Sequence, residues 1–353
     1  MSRPIQAHIN LSALKHNLHV AQRKANGRVM AVIKANAYGH GLLRAAEALR
    51  DAEGLAVLDI GDAIKLREAG SRQTILLLEG FFSIDELALI AEYDLATVVH
   101  SQHQLDMLDA YPRRQALQVW LKINTGMNRL GFTPYELPAV MERLRSHRAL
   151  RELVLMTHFS HADEAQGIDA QLELFKGITA AYRVPRSLAN SAALLRYPAA
   201  QGDWARPGIM LYGASPFADL SAQQLGLQPV MTLTSELISV RSIKAGEQVG
   251  YAGLFRAERD MRIGTVACGY ADGYPRHAVT GTPILVNGQR TRTLGRVSMD
   301  MLAVDLSDIA DATVGCCVTL WGEGLAVEEV ARAAGTISYE LLCALAPRVP
   351  VRY

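Results

Sequence analysis

The chain has 353 residues, half of them hydrophobic, which is enough for about two domains with sizeable cores at roughly 100–200 residues each. Its 36 basic and 35 acidic side chains nearly cancel and form no basic stripe, so nucleic acid is not an expected partner and small molecules are. The start, Met1-Ser-Arg-Pro-Ile-Gln-Ala-His, has no apolar signal core and no apolar run approaches the roughly 18 residues of a membrane span, so a cytoplasmic protein without a membrane partner is expected. Cys268, Cys316, Cys317 and Cys343 lie late in the chain without CxxC or zinc-like spacing; they read as thiols, and no metal site is expected.

In chain order, Ile5 to Leu11 reads as a strand, and Ser12 as the N-cap of a helix running to about Ala25. Strand patterns follow at Val29–Ile33, Leu55–Ile60, Thr74–Leu78, Leu95–His100, Leu117–Ile123, Leu153–His158, Arg186–Ala189 and Gly208–Tyr212. Helical patterns separate them at Gly61–Ala69, Ile84–Tyr93, Gln102–Leu108, Tyr135–Arg145, Ala165–Tyr182 and briefly after Ser191. Eight strands alternating with helices over about 200 residues predict an α/β fold, a (β/α)8 barrel over residues 11–228. No GxGxxG follows the first of these strands, which removes the main support for a dinucleotide fold.

Beyond Leu227 the texture changes. Met231–Ser242, Met261–Cys268, Pro283–Val286, Arg290–Leu294, Met301–Asp305 and Cys317–Trp321 are strand-like, separated by turn signals such as Asn287-Gly288. Residues 229–353 therefore predict a mainly β second domain, joined by residues 1–10, with helices at Val327–Ala334 and after Ser338.

A barrel builds its active site at the carboxyl ends of its strands. Those ends carry Lys34, Lys122 and Arg129, His158, Asn190-Ser191, and Arg206-Pro-Gly-Ile209 at the approach to the expected last strand. Lys34 sits in Ala31-Val-Ile-Lys-Ala-Asn-Ala-Tyr-Gly-His-Gly41, ahead of a helical pattern from Leu42 to Arg50. A desolvated lysine at a strand end can form Schiff bases with carbonyls, while a solvated loop lysine is the plain alternative. The loops after strands seven and eight are where barrels often bind phosphate, and Ser191 and Gly208 fall there. A phosphate-bearing carbonyl cofactor opposite a lysine suggests pyridoxal phosphate.

An ordered set of stretches then makes the chain similar, over essentially its whole length, to the alanine racemases, two-domain barrel-type pyridoxal phosphate enzymes. They are Val32-Ile-Lys-Ala-Asn-Ala-Tyr-Gly-His-Gly41, Lys122 to Gly131, Thr157-His-Phe159, Asn190-Ser-Ala192, Arg206-Pro-Gly-Ile209, Leu211-Tyr-Gly213, Gly250-Tyr251, Gly269-Tyr-Ala-Asp-Gly-Tyr274 and Gly295-Arg-Val-Ser-Met-Asp300. Two small departures are Asn124, where the family often has Asp, and Ala252-Gly253, where it often has Gly-Gly.

The resemblance implies an enzyme interconverting L-alanine and D-alanine as a homodimer with shared active sites. It implies that Lys34 holds the cofactor and then serves as the base on one face of the substrate, with Tyr251 of the partner subunit as the base on the other. Arg206 would face the pyridine nitrogen, held in place by His158. Arg129 would reach the cofactor's phenolic oxygen and the substrate carboxylate, and Lys122 would be carbamylated, an anion that orients Arg129. Tyr38, Ser191, Gly208, Ile209 and Tyr339 match the phosphate-binding set, with Asn190 beside them. Met299 would offer its backbone amide to the substrate from the partner's β domain. Asp163, Tyr270, Arg276 and Arg296 match residues of the family's entrance, and otherwise read as ordinary surface polar groups.

Barrel-type pyridoxal phosphate decarboxylases and broad-specificity racemases are the nearest alternatives, and a non-catalytic single-barrel pyridoxal phosphate carrier is a third. Different second-domain residues, the lack of an export signal, and residues 229–353 respectively argue against them. Both supply of D-alanine for cell-wall peptidoglycan and degradation of alanine stand open as the use of the activity.

Overall fold

A computed structural model describes residues 3–111, 116–147 and 150–353; Met1 and Ser2, expected to join the second domain, lie outside them. The first strand, β1 (Gln6–Ile9), is followed by a helix over Leu11–Lys24. Asn10, not Ser12, caps that helix, its Oδ1 accepting the Ala13 N–H at 2.9 Å. The cap comes two residues early because Leu11 already lies in the first turn.

Eight parallel strands then close a barrel: β2 (Arg28–Val32), β3 (Gly54–Val57), β4 (Thr74–Leu77), β5 (Ala96–Val99), β6 (Leu117–Lys122), β7 (Leu150–Met156), β8 (Arg186–Ser187) and β9 (Trp204–Ala205). Closure is made by β9 pairing with β2, Arg28 opposite Trp204 and Val29 opposite Ala205. Most of these strands are nearly continuous buried apolar runs, as a parallel sheet covered by helices requires.

One expected strand is corrected. Gly208–Tyr212 does not extend; Ile209–Tyr212 is a short 3-10 helix, and the closing strand is the two-residue β9 before it. The apolar run Ile-Met-Leu-Tyr is buried on all sides, and a short run of that kind suits a buried helical turn as well as a strand. Arg206 consequently stands at the carboxyl end of the last strand.

The second sheet is built from β10 (Met231–Ile243), β13 (Met261–Val266), β14 (Pro283–Val286), β15 (Gln289–Leu294), β16 (Leu302–Asp305), β17 (Cys317–Trp321), β18 (Val351–Arg352) and β1. Its order is β13-β16-β15-β14-β17-β10-β1-β18, with β13 also pairing β10; a small hairpin, β11 (Gln248–Val249) with β12 (Phe255–Arg256), stands apart. The N-terminal β1 is antiparallel to β10 and parallel to β18, so residues 6–9 belong to this sheet. Helices cover Val327–Ala333 and Ser338–Cys343. The second of these lies against the barrel mouth: a Cβ on Gly39 would stand 2.3 Å from the Leu342 carbonyl oxygen. Among the described residues no helix is long and apolar enough to cross a membrane, and all four cysteines are free thiols.

Candidate active site

Lys34 follows β2 at the barrel mouth and opens a turn that is left-handed. Ala35, Asn36, Ala37 and Tyr38 have φ between 52° and 54°, and Gly39 follows at 81°. Left-handed backbone costs about 1–2 kcal/mol per residue other than glycine, so strain of this extent is a mark of functional sites. The turn points Lys34 and Tyr38 into one cavity of about 720 Å³.

That cavity gathers residues from strands across the barrel. Lys34, Tyr38, Lys122, Arg129, His158, Asn190, Ser191, Arg206, Gly208, Ile209 and Tyr339 all line it. One wall is a cradle. Ser191 Oγ accepts the backbone N–H of Gly208 at 2.8 Å and of Met210 at 3.4 Å. Gly208 has no room for a side chain, since a Cβ would lie 2.6 Å from the Tyr38 hydroxyl oxygen. Tyr38 in turn stacks on Tyr212 at 4.5 Å and meets Tyr339 at 6.1 Å. Asn190 caps the helix Ser191–Arg196, its Oδ1 accepting the Ala193 N–H at 2.9 Å.

The cavity is also rich in cations. Lys34, Lys122, Arg129 and Arg206 share the cavity with one carboxylate, Glu79. Burial lowers the pKa of Lys34, and Arg129 lowers it further, against the raising effect of Glu79 and Cys343. Lys122 is pushed down to about 8, by burial first and then by Arg206, Arg129 and Lys34. Burial and the same four cations hold His158 well below the ordinary imidazole range. Both lysines are thus moved toward the neutral amine, the form that reacts with carbonyl groups.

Arg206 is buried and fixed: Nη1 donates to Ser187 Oγ at 2.6 Å, and Nη2 to the carbonyls of Thr157 at 2.6 Å and Leu188 at 3.4 Å. His158 is not among the partners of these hydrogen bonds, but it lies close enough for the Arg206 charge to depress its imidazole. Burial alone lowers the guanidinium to about 10, so it remains a cation at neutral pH.

Six of the expected residues do not line the cavity. Tyr251 opens a 3-10 turn behind Gly250 and is 68% exposed; Met299 is 53% exposed. Tyr270, Arg276 and Arg296 also lie in the second domain, outside the cavity, and Asp163 is exposed beside Tyr339, whose phenol it helps to raise. The loops carrying Tyr270 and Met299 are clamped together. Tyr270 N–H donates to Ser298 O and Ala271 N–H to Met299 O, and the fully buried Asp272 carboxylate accepts from Arg3 and Arg348.

Sequence reasoning missed Glu79, Phe82, His100 and Cys343, all in the cavity wall. Glu79 and His100 lie just beyond β4 and β5, so the same strand-end rule that selected Lys34 reaches them. Nothing in the sequence marks Ser187 as the partner of Arg206.

The chain matches two families, described as alanine racemase, N-terminal domain, over residues 9–216, and alanine racemase, C-terminal domain, over residues 230–353. It is 62% identical to alanine racemase of Nitrosospira multiformis, covering 99% of each chain, and 51% identical to the catabolic alanine racemase of Klebsiella aerogenes, again over 99% of both. The crystal structure of biosynthetic alanine racemase from Pseudomonas aeruginosa superposes with a TM-score of 0.97 at 52% identity, covering 100% of this chain and 99% of that one.

Proposed function

The chain belongs to the alanine racemase family, and on that premise we propose that it interconverts L-alanine and D-alanine with pyridoxal phosphate, by a two-base mechanism in a homodimer in the cytoplasm. The observation that carries the cofactor reading is one cavity in which a lysine of lowered pKa faces a cradle too tight for a Cβ at Gly208, within a wall of four cations. A dianionic phosphate and a carboxylate suit that charge; the backbone N–H of Ile209 suits a phosphate oxygen, and that of Gly208 would join it once released from Ser191 Oγ. Tyr38, Ser191 and Tyr339 would hold the phosphate beside them, with Asn190 in the wall, and Lys34 would hold the carbonyl carbon. When bound, pyridoxal phosphate supplies an electron sink that makes the α-proton of alanine acidic.

The chain's residues do the rest. Lys34, released from the carbonyl carbon by the substrate amine, would take the α-proton on one face as an amine or return it as an ammonium, and Tyr251 of the partner subunit would do the same on the other as phenolate or phenol; removal on one side and return on the other inverts the centre. Arg206, a permanent cation, would lie against the pyridine nitrogen and disfavour its protonation, and so disfavour transamination. His158 completes that wall. Arg129 offers its planar fork to the substrate carboxylate. Lys122 as a carbamate replaces a cation beside Arg129 with an anion and orients it. The backbone amide of the partner's Met299 adds to the carboxylate site, and Tyr270, Arg276 and Arg296 with Asp163 line the entrance.

Circular dichroism of either alanine enantiomer, mixed with purified protein and pyridoxal phosphate, tests the activity. Decay of both signals to zero is expected; an unchanged signal from both rules the proposal out, and release of carbon dioxide would point to a decarboxylase.

A further inference from the structure

Four consecutive left-handed residues without a glycine persist only if neighbours over-determine them. Two side chains act on this turn. Asn36 Oδ1 accepts the Leu42 N–H at 2.8 Å. His40, fully buried, places Nδ1 3.0 Å from the carbonyl oxygen of Ala37 and 2.8 Å from that of Tyr38. A bare nitrogen in that position would oppose its lone pair to two oxygens, so Nδ1 carries the hydrogen and donates to both. The other ring nitrogen, Nε2, is buried and has no partner among the described residues. The imidazole lies 4.7 Å from the ring of Tyr212. Tyr212 stacks on Tyr38, and its hydroxyl donates to the Val32 carbonyl at 2.9 Å, two residues before Lys34.

Resting on the reading of the barrel mouth as a pyridoxal phosphate site, we propose that His40 is a positioning residue for the cofactor: its Nδ1–H, shared between the Ala37 and Tyr38 carbonyls, holds the left-handed turn that presents Lys34 and Tyr38 to the cavity. His40 touches neither cofactor nor substrate. Burial keeps it neutral, pushing its pKa down to about 4, so the clasp is a fixed donor across the neutral range. Relaxation of the turn would carry the Tyr38 hydroxyl away from Gly208 and swing Lys34 off the strand end.

The position of the donor makes the idea testable. In His40→Asn a side-chain N–H stands near the place of Nδ1; in His40→Gln it stands one methylene farther; His40→Leu has none. Each variant and the wild type are freed of pyridoxal phosphate and titrated with it, following the visible absorbance band and its dependence on pH. His40→Asn should bind within about threefold of wild type. His40→Leu and His40→Gln should bind about tenfold more weakly, the scale set by two lost hydrogen bonds, and should shift the titration of the band. A role in packing alone would lower thermal stability without ranking cofactor affinity by donor position. Wild-type affinity in His40→Leu, or His40→Asn binding no better than His40→Gln, overturns the inference; if His40→Leu does not fold, the Asn and Gln pair decides. A wild type that fails to bind pyridoxal phosphate would instead remove the cofactor reading, and this inference with it.

Discussion

Two lysines and two arginines in one cavity set a charge problem, and its solution determines what each lysine can do. Lys34 follows the first barrel strand within the cavity, with its pKa lowered and Glu79 the only carboxylate in the lining among the described residues. Borohydride reduction of the cofactor-loaded protein should therefore fix the pyridoxyl group on Lys34, as read by peptide mapping; a label on another lysine would reassign the attachment site. The proposed carbamylation of Lys122 would solve its problem differently, by consuming the neutral amine that a pKa pushed down to about 8 makes available. With 13C-bicarbonate at pH 8 a carbamate resonance should appear and be absent from Lys122→Arg. Lowering the pH well below 8 protonates the amine, so the resonance should fade, and a spectrum without it at either pH would show that Lys122 is unmodified. Arg206 has a permanent charge and three hydrogen bonds to fix it. Arg206→Glu should allow the ring nitrogen to be protonated, slowing racemisation by about a hundredfold and raising the share of transamination. An unchanged product ratio would mean that Arg206 does not meet that nitrogen.

Elements matter here through how closely they let backbone approach ligand. Gly208 precedes the 3-10 helix Ile209–Tyr212 with its would-be Cβ against the Tyr38 hydroxyl. Gly208→Ala should weaken pyridoxal phosphate binding by about tenfold or more, since the stacked Tyr38 ring must give way; unchanged affinity would show that the cradle is not used. Much of this architecture was legible in the sequence, because buried parallel strands are short apolar runs and several are followed by a polar residue that lines the cavity. The same logic misplaced the eighth strand, where the run Ile209 to Tyr212 is buried as a helical turn. The left-handed turn was not legible at all: Ala-Asn-Ala-Tyr holds no glycine, and its handedness is imposed by His40, Asn36 and the stacked tyrosines, which are tertiary contacts. For the same reason Ser187 gave no sign of holding Arg206. Tyr251 was marked only by resemblance, since spacing alone presents it as an ordinary aromatic of the β domain.

The whole molecule poses the remaining question, because one chain carries the two proposed bases in separate places. Lys34 lies in the cavity at the barrel mouth, whereas Tyr251 stands on the second domain, 68% exposed and outside the cavity wall. A two-fold dimer reconciles these facts, each barrel receiving the other chain's Tyr251, since a symmetric interface makes any exchange between subunits reciprocal. Either base mutated in every chain should then disable both sites. Lys34→Ala chains paired with Tyr251→Phe chains behave otherwise, for one site of the mixed dimer carries both lesions and the other carries none. Random pairing makes about half of all dimers mixed, so roughly a quarter of wild-type activity should return. Co-expression under two different tags allows the mixed dimer to be isolated and its alanine racemisation followed by circular dichroism. The account predicts about half the wild-type rate per purified mixed dimer; a folded, cofactor-loaded mixed dimer no more active than its two parents would show that both bases act within a single chain.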